Sequence, residues 1–235
     1  MIPLRDENPS GSVPYVTRGL IVVNCLLFLY EILLGPDLRQ FTMDWGLVPQ
    51  RLHAAFVTGA EPLTVGLVTL VTSMFLHGGW MHLIGNMWYL WIFGDNIEDR
   101  FGPVRFLAFY LACGIFAGVV QYLANPDSSL PTIGASGAIA GVLGAYAAAF
   151  PRARVVTFVP IIFYFRIMML PAALVLGFWF VIQFFSGALA LGMAHAAGGI
   201  AWWAHIGGFA LGFLTMRIAG SGRREPRWSS DPTLR

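Results

Sequence analysis

Lysine is absent from this 235-residue chain, and charge of either sign is scarce: 14 Lys+Arg, every one an arginine, against 12 Asp+Glu, with 11% of residues charged in all. A soluble domain carries about 25% charged residues. This chain cannot cover itself with a water-facing surface, so soluble folds with a large buried core are excluded. Cysteine is nearly absent too, with only Cys25 and Cys113. Both fall inside apolar runs, where a thiol serves as a small core side chain rather than half of a disulfide. Carboxylates avoid the apolar segments: only Glu31 lies well inside one, and Asp95 and Glu98 fall at the end of another.

What remains is 57% hydrophobic, arranged in long uncharged runs. A bilayer core takes about 20 apolar residues at 1.5 Å each. Six segments are predicted to span: Gly19–Gly35, Trp80–Glu98, Pro103–Ala124, Ser136–Phe150, Ile167–Leu191 and Ile200–Ile218. The fold class expected is an all-α membrane protein of six transmembrane helices with a long interfacial first loop. The fourth span is short at its outer end, where Pro131 and Gly134 precede it, so its first turn is expected below the membrane surface. Leu63–Leu76 is apolar but too short to cross alone. It is assigned to the outer surface, as the descending part of the first loop. The remainder of that loop, from Pro36 to about Glu61, holds Trp45, Pro49, Arg51 and Phe56 at mixed spacing, as interfacial segments do.

The arginines orient the bundle. With six spans, twelve of them (Arg5, Arg18, Arg100, Arg105, Arg152, Arg154, Arg166, Arg217, Arg223, Arg224, Arg227 and Arg235) fall on one side. Only Arg39 and Arg51 fall on the other. Positive residues stay inside, so both termini are expected in the cytoplasm, in a multi-pass integral protein of a bacterial plasma membrane. Residues 1–17 are polar with three prolines, and no small-x-small cleavage site follows the apolar run before Gly35–Pro36, so they read as a cytoplasmic segment ahead of a retained anchor. Residues 18–219 form one six-span domain, and 220–235 read as a disordered cytoplasmic tail.

Chemistry is concentrated in three places. Gly134-Ala135-Ser136-Gly137 opens the fourth span, and Gly137, Gly141 and Gly144 share one helical face, as small residues do for close packing. His77, His82 and Asn86 sit at the outer end of the second span, where they could equally bond neighbouring helices or interfacial water. Ala204-His205 with Gly208 and Gly212 lies in the sixth, and an intramembrane histidine is a functional candidate because its ring needs partners in lipid. Depth joins the three. Asn86 lies 14 residues above Arg100, Ser136 lies 16 above Arg152, and His205 lies 12 above Arg217. At 1.5 Å per residue these are heights of roughly 18–24 Å, in the outer half of the bilayer. Packing residues alone would have no reason to coincide in depth.

A nucleophilic hydroxyl needs a base. No carboxylate is placed to complete a triad, so the economical reading is a Ser136–His205 dyad. Asn86, His82 and the Ser136 amide, unpaired in the first helical turn, are candidates to stabilise an oxyanion. A metal site is disfavoured: His77 and His82 are five apart and share no helical face, and no thiol or carboxylate joins them.

The set His77-x4-His82-x3-Asn86, Gly134-Ala135-Ser136-Gly137 and Ala204-His205-x2-Gly208-x3-Gly212 resembles the rhomboid family of intramembrane serine proteases, and Glu98-Asp99-Arg100 with Gly102 is similar to the family's pattern after the second span. The resemblance implies a six-span rhomboid-like bundle that cleaves single-span membrane proteins near their outer end, without cofactor, metal or nucleic acid. It implies Ser136 as nucleophile, His205 as general base, and His82, Asn86 and the Ser136 amide as oxyanion stabilisers. His77 is implied to be structural, with Gly134, Gly137 and Gly208 in supporting positions. One departure is that many members carry an aromatic residue one turn after the serine, packed on the imidazole, whereas this chain has Ala140. The contact that orients His205 must then come from elsewhere. Rival functions are a catalytically silent helix-binding relative, which typically lacks the serine or histidine, and a transporter, for which the apolar inner halves offer almost no ionisable relay.

Overall fold

The computed structural model describes residues 1–161, 164–192 and 201–219. It opens with a strand, β1 (Ile2–Asp6), followed by a long helix, α1 (Tyr15–Leu33). The first loop is folded into two short helices, α2 (Leu38–Trp45) and α3 (Pro49–His53), and an apolar helix, α4 (Leu63–Thr72). Then come α5 (Trp80–Phe101), α6 (Pro103–Ala124), α7 (Ser136–Ala149), a hairpin of β2 (Arg154–Ile161) and β3 (Tyr164–Pro171), α8 (Ala172–Gly192) and α9 (Trp202–Ala219). The tail assigned to 220–235 and the start of the sixth span at Ile200 lie outside the described residues.

Two sequence expectations need correction. The chain is mostly helical but not all-α, because β1, β2 and β3 form an antiparallel sheet in that order. The fifth span does not begin at Ile167. Residues 164–171 pair with 154–161, Tyr164 opposite Ile161 and Pro171 opposite Arg154, and the helix starts only at Ala172. Hydropathy is blind to this boundary because the strand is itself apolar and aromatic, so it runs into the helix as one hydrophobic block. Proline marks the change, lacking the N–H a helix interior needs.

Among the described residues, three helices are long and apolar enough to cross a membrane unaided: Tyr15–Leu33, Pro103–Ala124 and Ala172–Leu189. Leu63–Phe75 and Trp80–Phe101 make a fourth only if counted together, and they are bent by 82° at Leu76–Gly79. Ser136–Ala149 is apolar but shorter. Of the remaining long helices, α5 ends in Glu98, Asp99 and Arg100, and α9 contains His205 and Arg217.

The packing centres on α7, whose residues Gly137 through Tyr146 are all buried. Glycine is what lets α9 reach it. A methyl group on Gly208 would fall on the Gly137 carbonyl, and one on Gly212 would fall on that of Gly141. Bulky side chains fill the remainder around α5 and α6, with Phe93, Ile97, Phe106 and Tyr110 fully enclosed. At the opposite end of α5, Glu98 accepts the backbone N–H groups of Val16 and Thr17 at 2.9 and 2.7 Å and the Thr17 hydroxyl at 2.8 Å. These are unpaired amides of the first turn of α1, where negative charge is favoured. Gly102, at φ +78°, then turns the chain directly into Pro103 and α6. The first loop is pinned by a bridge in which Leu47 and Thr132 exchange backbone hydrogen bonds of 3.1 and 2.7 Å. Leu47, Leu52 and Leu70 are buried beneath it.

Candidate active site

Ser136 is the first residue of α7 and is delivered by an extended segment that Leu47 holds at Thr132. Between them Gly134 takes φ +124°, a backbone state that side chains rarely adopt, and donates its N–H to the Ser73 carbonyl at 2.8 Å. On the facing helix α9, the Nε2 atom of His205 lies 2.8 Å from Ser136 Oγ. Its Nδ1 atom lies 2.7 Å from Oε1 of Gln183, on α8. Ser136, His205 and Gln183 therefore form a continuous hydrogen-bonded row across three helices.

Two rings complete the setting of the imidazole. Trp179 of α8 lies against it with centroids 5.7 Å apart and an interplanar angle of 38°, and Trp202 meets it edge-on at 6.3 Å. Ala140 is fully buried, 3.4 Å from the position a methyl on Gly208 would take, so the approach of α7 to α9 leaves no room there for a ring. The aromatic face comes instead from α8. Neither Gln183 nor Trp179 was among the residues the sequence singled out. The available signal was Gln183 itself, a lone amide in an otherwise apolar span, which must find a partner in lipid.

His82 and Asn86 approach from α5. The His82 ring lies over Gly134, where a side chain would come within 2.6 Å of His82 Nε2 and 3.6 Å of Asn86 Nδ2. Gly78 donates its N–H toward His82 Nδ1 at 3.4 Å, which leaves Nε2 as the protonated nitrogen facing the Gly134–Ser136 segment. Asn86 Nδ2 is 3.0 Å from His77 Nε2, so one of its two N–H groups is engaged there and the other is available. His77 itself is buried, edge-on to Phe28 of α1. Its backbone N–H donates to both carboxylate oxygens of Glu31, at 3.1 and 3.3 Å. Glu31, only 1% exposed, thus ties α1 to the bend between α4 and α5. Sequence had noted that carboxylate inside a span without finding it a partner.

The space beside Ser136 is a cavity of about 20 Å³ lined in part by Ser73, Thr132, Gly134 and Ala204, enough for a single water. Among the described residues no group of three or more His, Cys, Asp or Glu side chains is placed to hold a metal ion.

A model of the rhomboid domain matches residues 65–221, a stretch that begins within α4 and takes in Ser136, His205 and Gln183. This chain belongs to the rhomboid family. Rhomboid-like protein 5 of Arabidopsis thaliana is 38% identical over 76 residues, covering 32% of this chain and 25% of that protein. The human mitochondrial presenilin-associated rhomboid-like protein is 30% identical over 158 residues, 66% of this chain and 38% of its own length. Rhomboid protease GluP of Bacillus subtilis is 43% identical over 76 residues, 32% of this chain and 14% of that protein. The chain therefore spans well under half the length of these curated relatives. Rhomboid membership, with three apolar helices of spanning length, makes it an integral membrane protein.

Proposed function

We propose that this rhomboid is an intramembrane serine endopeptidase working through a Ser136–His205 dyad. The observation that carries the proposal is the 2.8 Å approach of His205 Nε2 to Ser136 Oγ, with Nδ1 occupied by Gln183. A hydroxyl with a base on one side and an oriented base behind it has the geometry of an activated nucleophile. His205 Nε2 takes the Ser136 proton as Oγ attacks a substrate carbonyl. The resulting oxyanion is met by the Ser136 amide, at the positive end of the α7 dipole, and by the free N–H groups of His82 and Asn86. The imidazolium then passes its proton to the leaving amine, and water resolves the acyl-enzyme.

The substrates proposed are single-span membrane proteins, cut near the outer face, in a six-span bundle that counts α5 with α4 displaced from it, α7 and α9 as spans. A bacterial plasma membrane with both termini cytoplasmic is the proposed setting, on the strength of the arginine asymmetry. The bilayer is the only other partner the reading needs, with neither cofactor nor nucleic acid, and it leaves the oligomeric state open. The test is labelling of the full chain in detergent by a fluorophosphonate probe. Wild type should label, and Ser136→Ala and His205→Ala should not. A folded wild type that stays unlabelled while the probe reaches the site would favour a silent helix-binding relative.

A further inference from the structure

The inner stripe of α8 repeats at three- and four-residue spacing: Ala172, Val175 and Leu176 are buried, followed by Trp179, Gln183 and Gly187. Every member but Gln183 seats the helix by shape. Trp179 and the adjacent Phe180 pack on Phe209 of α9, with ring centroids at 6.2 and 4.7 Å. Gly187 faces Trp202, where an added methyl would meet its Cβ at 3.1 Å and Ile206 Cδ1 at 3.4 Å. Gln183, 7% exposed, is the amide in this stripe, and its Oε1 is 2.7 Å from His205 Nδ1. The opposite side of α8 presents exposed apolar side chains such as Phe178, Ile182 and Phe185.

A neutral imidazole carries one N–H and one lone pair, and its partners decide which nitrogen holds which. The carbonyl oxygen of Gln183 accepts, so Nδ1 carries the proton and the Nε2 lone pair faces Ser136. The other tautomer would point an N–H at Ser136 Oγ and could not take its proton. When the ring becomes imidazolium, the bond to Oε1 becomes charge-assisted and strengthens. This orienting group sits on neither helix of the dyad. We propose that Gln183 is the positioning residue of the dyad, holding the Nδ1–H tautomer of His205, so that the dyad is competent only while α8 is seated on α9. The proposal rests on the reading of Ser136 and His205 as nucleophile and base.

The groups facing His205 are Ser136 from α7, Gln183 and Trp179 from α8, and Trp202 on its own helix. Among the described residues, the other titratable group close enough to act on it electrostatically is His82 of α5. Among the described residues no carboxylate already acts on the ring, so substitution at Gln183 changes its hydrogen-bonded orienting contact against an uncharged background. The experiment measures fluorophosphonate labelling rate against pH for the full chain in detergent, with thermal midpoints, for wild type, Gln183→Leu and Gln183→Glu. Gln183→Leu should slow labelling roughly tenfold or more and move the acid limb to lower pH, because the imidazolium loses its acceptor. Gln183→Glu should recover much of the rate and move that limb to higher pH, because a carboxylate stabilises the imidazolium. Gly187→Leu should unseat α8 and slow labelling by a similar factor, and adding Gln183→Leu to it should cost little more. Acid limbs that coincide in the three proteins would overturn the proposal, as would fully additive losses in the double variant. If Gln183→Leu lacks a thermal transition, the limb of Gln183→Glu decides alone. A wild type without Ser136-dependent labelling sinks the dyad and the positioning role together, whereas a labelling wild type with unmoved variants sinks the positioning role only.

Discussion

Gly208→Ala puts the close approach of α7 and α9 under direct strain. Gly208 lies three residues beyond His205, and Gly137 follows Ser136, so the contact between them sets the distance across the dyad. A methyl group on Gly208 would overlap the Gly137 carbonyl oxygen, stand 3.0 Å from its carbonyl carbon and 3.4 Å from Ala140 Cβ. Carbon atoms settle at about 3.5–4.0 Å, and a backbone carbonyl cannot rotate aside as a flexible side chain can. The helices must part by on the order of 1 Å, which carries the 2.8 Å Ser136–His205 bond beyond hydrogen-bond reach. Misplacement of that size costs about 10²-fold in rate, and overpacking costs about 1–3 kcal/mol in stability. Gly177→Ala on α8 is the matched control, since nothing lies within 4 Å of the added methyl. Labelling rates and thermal midpoints of both variants in detergent test the argument. Gly208→Ala should lose on both measures, and Gly177→Ala should hold or gain slightly, because alanine is the better helix former. A Gly208→Ala protein labelling within threefold of wild type would refute the view that this contact sets the dyad.

Two further outcomes follow from other parts of the structure. Asn86→Ala should slow labelling and cleavage by up to about 10²–10³-fold if its free N–H meets the oxyanion, and an unchanged rate would remove it from that role. Asp6 on β1 has its carboxyl pushed up to about 6, chiefly by burial and further by the charge of Asp95, although it accepts a 2.6 Å hydrogen bond from the Tyr146 hydroxyl. Its charged form is therefore disfavoured in the fold. The contribution of Asp6 to stability is greatest below its ordinary value of 3.8, falls as pH rises, and is lost above about pH 6. Asp6→Asn, which keeps an acceptor for Tyr146, should raise the thermal midpoint at pH 7 and flatten its slope between pH 4 and 6 (both bounds approximate). A midpoint no higher than wild type at pH 7 would show that this burial carries no penalty.

The sequence was most legible where lipid constrains it most. Ends at Trp80, Pro103 and Ser136 were placed at the residue, because Gly79, Gly102 and Gly134 punctuate them. The sheet was not legible. Arg154–Ile161 and Tyr164–Pro171 are apolar enough to belong to a span, and their partner β1 comes from a short polar segment more than 140 residues away in sequence. Local pattern carries no trace of such a pairing. The row behind Ser136 was half legible. Ser136 and His205 stood out by type and depth. Gln183 did not stand out, because the group behind a catalytic histidine is ordinarily a carboxylate and here an amide holds Nδ1. Trp179 was hidden because its role replaces a ring expected at position 140, on a different helix.

Polar residues inside these helices differ in where their hydrogen bonds go, and that difference separates the site from the scaffold. Asn24 is fully buried, yet its Nδ2 closes on the Leu20 carbonyl one turn back, at 2.7 Å. Thr69 likewise donates to Gly66 at 2.9 Å. Such bonds occupy a donor without linking one element to another. Around Ser136 the bonds run between elements instead: Glu31 reaches from α1 to His77, Asn86 from α5 to His77, His205 from α9 to Ser136, and Gln183 from α8 to His205. A side-chain donor inside a helix can fall back on the carbonyl one turn before it, an option an acceptor such as a carboxylate lacks. The choice of Gln183 over a carboxylate fits the same economy. An ionised group behind His205 would stabilise the imidazolium more strongly, but it would stand charged in a low-dielectric setting whenever the base is neutral. A neutral amide selects the tautomer without that penalty, at the expense of a weaker pull on the proton.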